Sequence, residues 1–158
     1  MENEFDVVVV GAGISGIGAG AHLNLKCPDQ SYVILEGREK FGGTWDLFKY
    51  PGIRSDSDMH TLGYSFKPWV HKKSIANAPA IMEYLEETID EYELLQHIRY
   101  NHHVETANWC PKEGKWIVSV TDKVNNKEIT FKGKLLYMCS GYYKYCLLYT
   151  SPSPRDTA

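Results

Sequence analysis

The stretch Phe5-Asp6-Val7-Val8-Val9-Val10-Gly11-Ala12-Gly13-Ile14-Ser15-Gly16 decides the fold of this protein. It opens with a short β-branched run, which is typical of a parallel strand buried on both faces. The run ends in glycines with the spacing G-x-G-x-x-G, and Ile17, Ala21 and Leu25 then follow at helical spacing. A strand, a glycine-rich turn and a helix in this order are typical of a dinucleotide-binding βαβ unit.

The second strand of this unit is predicted at Ser31-Tyr32-Val33-Ile34-Leu35. The acid Glu36 follows that strand directly, twenty residues past Gly16. Residues 5 to 36 therefore have the usual length of a βαβ unit, and we expect a right-handed connection. We also expect Glu36 to accept hydrogen bonds from the hydroxyls of an adenosine ribose.

Each glycine of the motif has a physical role. Gly11 permits the tight turn, Gly13 lets the backbone approach a pyrophosphate, and Gly16 allows close contact between helix and strand. Free N–H groups at the start of the helix face the phosphate charge. The alternative is a glycine-rich turn that joins a strand and a helix without any ligand, and the motif alone does not separate FAD from NAD.

The rest of the chain adds a loop region, one long helix and further strands. Gly37 to Pro68 is rich in Gly, Pro and Asp and is long for a connector, so we expect it to contact a ligand. Asn77-Ala78-Pro79 opens a helix that ends near Leu94. A small antiparallel meander is predicted at Ile98 to Val104, Lys115 to Thr121 and Glu128 to Phe131, and Leu135 to Cys139 then returns to the main parallel sheet. The predicted fold class is α/β, a three-layer Rossmann-type domain.

Composition and charge restrict the functions that are open to this chain. Its 158 residues are 43% apolar and 23% charged, which suits one folded domain. The net charge of −3 gives no basic field, so we expect no nucleic-acid partner. The longest apolar run is too short to span a bilayer, and the first residues lack the positive charge of a signal peptide.

The spacing of cysteine and histidine predicts no metal site. The four cysteines form no C-x-x-C pair, and His102 and His103 alternate between the faces of a predicted strand. Reduced thiols and a cytoplasmic location are therefore the simplest expectation.

Two motifs after the acid resemble a known family. Phe41-Gly42-Gly43-Thr44-Trp45-Asp46-Leu47 is followed by Tyr50-Pro51-Gly52-Ile53-Arg54-Ser55-Asp56-Ser57-Asp58-Met59, with Tyr64-Ser65-Phe66 beyond. Together they resemble the class B flavin monooxygenases of the Baeyer–Villiger type, and the resemblance covers residues 5 to 145. It implies an N-terminal Rossmann domain that binds FAD and is incomplete in this chain.

The resemblance also implies a set of cofactor contacts, and the chemistry of several residues agrees with it. The implied FAD contacts are Ser15, Glu36, Thr44, Trp45, Asp46, Leu47, Asp56 and Val104, beside the glycines Gly11, Gly13, Gly16 and Gly43. Ser15 can donate a hydrogen bond to a pyrophosphate, and Trp45 supplies a flat apolar wall. Gly42-Gly43 allows the backbone to approach the ribityl chain, and Val104 is expected to contact adenine through its backbone.

Arg54-Ser55-Asp56 lies, in the family, where the nicotinamide cofactor meets the flavin. The resemblance implies that Asp56 is a catalytic residue that holds an arginine from a later domain. The residues alone favour a surface turn with a solvated ion pair between Arg54 and Asp56. Cys139-Ser140-Gly141-Tyr142-Tyr143 matches the strand end where such flavoproteins pass toward their NADP domain, although many strands simply end at a glycine.

The last residues, from Cys146 to Ala158, differ from the rest in composition. This segment is rich in Ser and Pro, which favours a disordered tail. Cys146 to Asp156 also resembles a translated sequencing-library adapter, so we expect residues 1–145 to be the truncated FAD-binding domain and residues 146–158 to be non-native. The alternative is a genuine Ser-Pro-rich terminus.

The resemblance implies a monooxygenase that uses FAD and NADPH. Its substrates would be O2 and a small ketone, which becomes an ester or lactone, or a sulfur compound, which is oxidised at sulfur. The alternatives are a flavin-containing monooxygenase acting on nitrogen or sulfur, an N-hydroxylase, and a catalytically inert FAD-binding fragment.

Overall fold

The computed structural model describes residues 3–141 and confirms the predicted βαβ unit. Strand β1 spans Glu4–Val10, helix α1 spans Ile14–Lys26 and strand β2 spans Tyr32–Leu35. The two strands are parallel, with Val8 beside Val33. Residues 142–158, which hold the expected tail, lie outside the described residues.

Three further α-helices follow the βαβ unit. They are α2 (Thr44–Leu47), α3 (Met59–Leu62) and α4 (Ala78–Glu91), and a 3-10 turn covers Leu95–His97. Helix α4 starts where the sequence predicts, because the Asn77 side chain accepts a hydrogen bond from the Ala80 N–H at 3.0 Å. It packs against α1 within one apolar cluster. None of the helices within residues 3–141 is long and apolar enough to cross a membrane.

The remaining strands complete a single sheet. They are β3 (Ile98–Arg99), β4 (His102–Cys110), β5 (Lys115–Asp122) and β6 (Lys127–Met138), and the 6-stranded order is β3-β2-β1-β6-β5-β4. Strands β3, β2, β1 and β6 are parallel neighbours, while β6, β5 and β4 form the antiparallel meander.

The strand boundaries differ from the prediction in three places. One is the end of β4, which lies at Cys110 and so beyond the predicted end at Val104. The run from Ile98 to Val104 is broken into β3 and β4, because Asn101 adopts a left-handed backbone with φ 58°. Conversely, the runs predicted on either side of Gly133 form the single strand β6, in which Gly133 pairs with Phe5 of β1 and with Trp116 of β5. A Cβ at Gly133 would lie 2.8 Å from a Val8 methyl, so glycine allows the meander to meet the parallel sheet.

The core lies on both faces of the parallel strands. On one face, Val7, Val9 and Ile34 pack in an apolar cluster with residues of α1 and α4. On the other face, Val8, Val33 and Leu35 pack against Val118, Val120 and Phe131 of the meander. The helices, the parallel strands and the meander thus form three layers, which confirms the predicted three-layer α/β fold. Leu25 is the exception on the predicted apolar face of α1, because its side chain is 47% exposed near the end of the helix.

Candidate dinucleotide-binding site

A cavity of about 640 Å³ opens at the carboxyl ends of β1, β2 and β6. The last residues of these strands, Val10, Leu35 and Met138, lie in its wall. Ligands of open α/β sheets bind at this end of the parallel strands, because the loops and the helix N-termini converge there. The cavity is lined by these predicted residues: Gly11, Gly13, Ser15, Glu36, Gly43, Thr44, Trp45, Leu47 and Val104.

The glycines of the first glycine loop, residues 11–16, have different structural roles. Gly11 has φ 103°, and a Cβ there would lie 2.5 Å from the Cys139 carbonyl oxygen. A Cβ at Gly16 would lie 1.8 Å from the Gly11 carbonyl oxygen, so Gly16 closes the contact between helix and turn and does not line the cavity. A Cβ at Gly13 would meet only two backbone atoms of Gly43, the Cα at 3.7 Å and the nitrogen at 4.0 Å. The space beside Gly13 is therefore open toward the cavity, as a site for a pyrophosphate requires.

The start of helix α1 faces the same space. Gly13 is its N-cap, no side chain caps the first turn, and that turn holds no acidic residue. Gly13, Ile14 and Ser15 line the cavity. Uncapped N–H groups and the positive end of the helix dipole favour an anion at this position.

Glu36 is buried at the end of β2, with 8% of its surface exposed. One carboxylate oxygen accepts a hydrogen bond from the Ala12 N–H at 2.8 Å, and the other accepts one from the Arg38 N–H at 2.9 Å. These contacts fix the carboxylate beside the glycine turn. A carboxylate can accept more than two hydrogen bonds, so Glu36 can also accept those expected from the ribose hydroxyls.

A second glycine loop completes this wall. Gly42 and Gly43 have φ 108° and 52°, a region that favours glycine. The Gly42 N–H donates to the Ala12 carbonyl at 2.9 Å, and a Cβ at Gly43 would lie 3.2 Å from the Cα of Gly13. The two glycine loops therefore touch, and α2 begins at once behind the contact.

Asp46 does not line the cavity, although the resemblance assigns it to the cofactor. Its carboxylate forms an ion pair with Arg38 and accepts a hydrogen bond from Lys49 at 3.3 Å. Burial raises the pKa of Asp46, but the hydrogen bonds from Lys49 and Arg38 outweigh it, so the pKa lies below its ordinary value. Arg38 itself lines the cavity and donates to the Gly43 carbonyl at 3.3 Å.

The opposite wall contains residues that the sequence did not indicate. His102, His103 and Lys123 line the cavity beside Val104. The His102 N–H donates to the Glu36 carbonyl at 2.8 Å, and the Lys123 ammonium donates to the Gly37 carbonyl at 2.8 Å. Only the folded sheet brings β4 and the β5–β6 turn to the end of β2. Within residues 3–141, no group of three His, Cys, Asp or Glu side chains is arranged to hold a metal.

Arg54, Ser55 and Asp56 lie away from this cavity. Ser55 is 3% exposed and exchanges two hydrogen bonds with Ala76, at 2.8 and 3.1 Å, so it joins two loops. Arg54 is exposed and lines a second cavity of about 570 Å³, and Asp56 is also exposed. Among residues 3–141 neither charged side chain joins an ion pair, so the solvated pair expected from the sequence is not formed.

Comparison with known proteins agrees with this geometry. Residues 9–73 match an NAD(P)-binding Rossmann-like domain. The chain is 53% identical over 154 residues to the FAD-containing monooxygenase EthA of Mycolicibacterium smegmatis, which covers 98% of this chain and 31% of that protein. It is 49% identical over 145 residues to EthA of Mycobacterium tuberculosis, which covers 92% of this chain and 29% of that protein.

Solved structures show the same relationship. The fold matches cyclohexanone monooxygenase from Rhodococcus sp. Phi1 bound to NADP+ with a TM-score of 0.76 and 29% identity, over 88% of this chain and 26% of that one. The chain thus spans about a third of the length of the curated relatives that it matches. Over the residues it spans, the chain is similar to the N-terminal part of flavin monooxygenases of the Baeyer–Villiger type.

Proposed function

We propose that this chain holds the FAD of a flavin monooxygenase that uses NADPH and O2 to insert one oxygen atom into a small ketone or to oxidise sulfur. The observation that carries the proposal is the cavity in which the first glycine loop, Glu36 and the second glycine loop meet. The names of its relatives support FAD as the occupant, and the NADP+ bound to a structural neighbour supports the second cofactor.

The residues present fit a dinucleotide. The open space beside Gly13 and the uncapped start of α1 would hold the pyrophosphate. Glu36 would accept hydrogen bonds from the ribose, and the backbone of Val104 would contact adenine. Gly43, Thr44, Trp45 and Leu47 would form the wall toward the flavin. FAD supplies the redox and oxygen chemistry when it is bound, while this chain binds it, orients it and excludes water.

The catalytic part of the proposal concerns Arg54, Ser55 and Asp56. Asp56 would meet the nicotinamide cofactor and an arginine from a later domain, and its exposure leaves it accessible for both. We accordingly propose residues 1–145 as a truncated FAD domain and residues 146–158 as a non-native tail. A cytoplasmic location and the ketone or sulfur substrate belong to the same proposal.

The second candidate is a catalytically inert FAD-binding fragment. The position of Arg54 and Asp56 outside the wall of the first cavity favours it for the chain in isolation. Action on nitrogen or sulfur, as in the flavin-containing monooxygenases and N-hydroxylases, remains the alternative chemistry for a longer chain.

Titration of the 158-residue chain with FAD, followed by flavin fluorescence quenching, tests the binding half of the proposal. We expect saturable binding, competed by ADP, with a dissociation constant weaker than about 1 µM. Gly13→Ala is the matched variant, because its methyl group would occupy the open space in the cavity and weaken binding. Absence of any FAD binding would contradict the proposal, and micromolar or tighter binding would contradict the weak affinity.

Turnover is tested separately. The isolated chain should oxidise no thioether with NADPH, whereas a chain continued past Tyr145 with its natural sequence should purify yellow and consume NADPH with a ketone or thioether. Substrate-dependent product from the 158-residue chain would show that it is catalytically complete and would contradict this part.

A further inference from the structure

Among residues 3–141, Arg38 is the one cation in the cavity wall whose side chain contacts either of the two glycine loops. Of the cationic and histidine side chains in the wall, His102, His103 and Lys123 belong to the meander side. The Lys123 ammonium is held by the Gly37 carbonyl. Arg38 instead donates to the carbonyl of Gly43, which touches Gly13 where the pyrophosphate space opens.

The guanidinium of Arg38 is held in position by two contacts, which occupy only some of its N–H donors. It forms an ion pair with the Asp46 carboxylate through one nitrogen and a hydrogen bond to Gly43 through another. A guanidinium carries more N–H donors than these contacts use, and its planar geometry suits phosphate oxygens. The side chain is 35% exposed and lines the cavity, so the remaining donors are accessible to a ligand.

Asp46 is not part of the cavity wall, whereas its partner Arg38 is. The carboxylate is 11% exposed and does not line the cavity. Lys49 shares the same carboxylate, but its side chain is 72% exposed and also lies outside the cavity wall. Arg38 and Lys49 therefore both form an ion pair with Asp46, but of these two cations only Arg38 lines the cavity.

We infer that Arg38 binds the diphosphate of the dinucleotide, and that Asp46 is a positioning residue that holds Arg38 in place. This inference rests on the proposed function. It replaces the direct cofactor contact that the family resemblance assigns to Asp46 with an indirect one. The diphosphate would then be held between the N-terminus of α1 and the guanidinium.

Binding of three probes separates this role from a structural one. FAD and ADP carry the diphosphate, whereas adenosine does not, and ADP and adenosine are measured by competition with FAD. We expect Arg38→Gln to weaken FAD and ADP about tenfold, to flatten the salt dependence of their binding, and to leave adenosine unchanged. Arg38→Lys should restore part of the affinity, because it keeps the charge and loses the planar fork.

A double-mutant cycle tests the positioning role. Asp46→Asn should weaken FAD in the wild-type background and have no further effect in the Arg38→Gln background, because the two act as one unit. Lys49→Gln is the matched control, and it should leave the binding of all three probes unchanged. Melting curves of each variant show whether it is folded.

The outcomes are distinct. If the wild-type chain binds neither FAD nor ADP, the proposed function fails, and this inference fails with it. If it binds both and Arg38→Gln changes neither, or weakens adenosine equally, only the role of Arg38 is overturned. A loss of FAD affinity from Asp46→Asn in the Arg38→Gln background would show that Asp46 acts by itself.

Discussion

The two cavities of this molecule differ in whether their charged side chains are fixed by contacts within the chain. In the first cavity, Glu36 is held by the N–H groups of Ala12 and Arg38, and Arg38 is held in turn by Asp46. In the second cavity, Arg54 and its neighbours Lys72 and Lys73 are exposed, and none of them joins an ion pair within residues 3–141.

This difference separates a site whose charged groups are fixed by contacts within the chain from a surface whose charged groups are exposed. The polar groups of the first cavity are held in position by hydrogen bonds and an ion pair within the chain, which reduces the entropy that ligand binding must overcome. The charges around Arg54 and Asp56 are not fixed by the described part of the chain. This agrees with the proposal that their function needs groups from a longer protein.

The largest expected effect concerns the first glycine loop. In Gly16→Ala the new Cβ would lie 1.8 Å from the Gly11 carbonyl oxygen, so the backbone must move. We expect a loss of about 3–5 kcal/mol in unfolding free energy, which exceeds the ~1 kcal/mol that alanine contributes in a helix. Chemical denaturation measures this change.

Gly13→Ala is the matched control for that variant. Gly13 has φ −80°, and a Cβ there would meet only ordinary contacts with the Gly43 backbone, at 3.7 and 4.0 Å. Gly13→Ala should therefore change the unfolding free energy of the protein by less than about 1 kcal/mol. If Gly16→Ala proved as stable as Gly13→Ala, the close contact between helix and turn would not be what builds the first cavity.

Acid is expected to have an intermediate effect on the unfolding free energy. Because hydrogen bonds from Lys49 and Arg38 lower the pKa of Asp46 despite its burial, the folded state binds its proton less readily than the unfolded state. The stabilisation is therefore present above the ordinary value of 3.8 and is lost as the pH falls through the lower folded pKa. In denaturation series from neutral to acidic pH, Asp46→Asn should flatten the acid decline. An unchanged slope would show that the pair with Arg38 contributes nothing to stability.

The smallest effect is expected at Asp56, which lies near Arg54 and outside the first cavity. Asp56 is exposed and has no ion pair within residues 3–141, so Asp56→Asn should change the unfolding free energy by less than about 0.5 kcal/mol. FAD binding by the 158-residue chain should also stay the same. A tenfold loss of FAD affinity in fluorescence titration would place Asp56 at the first cavity and remove the distinction between the two regions.

The local sequence by itself determined the βαβ unit and its glycine turn. The strand Glu4–Val10, the turn at Gly11 and the helix from Ile14 depend on short-range causes: β-branched residues, glycine conformations and helical periodicity. The N-cap of α4 at Asn77 is equally local. Contacts between residues close in sequence leave a pattern that can be recognised without the fold.

Only the tertiary structure decided how distant segments meet. Strand β6 is continuous because Gly133 pairs with β1 and β5 at once. The second glycine loop likewise lies against Gly13 of the first. Lys123 reaches Gly37 only through the meander. Pairings of this kind join residues far apart in sequence, so their stability comes from packing and burial that no local pattern records.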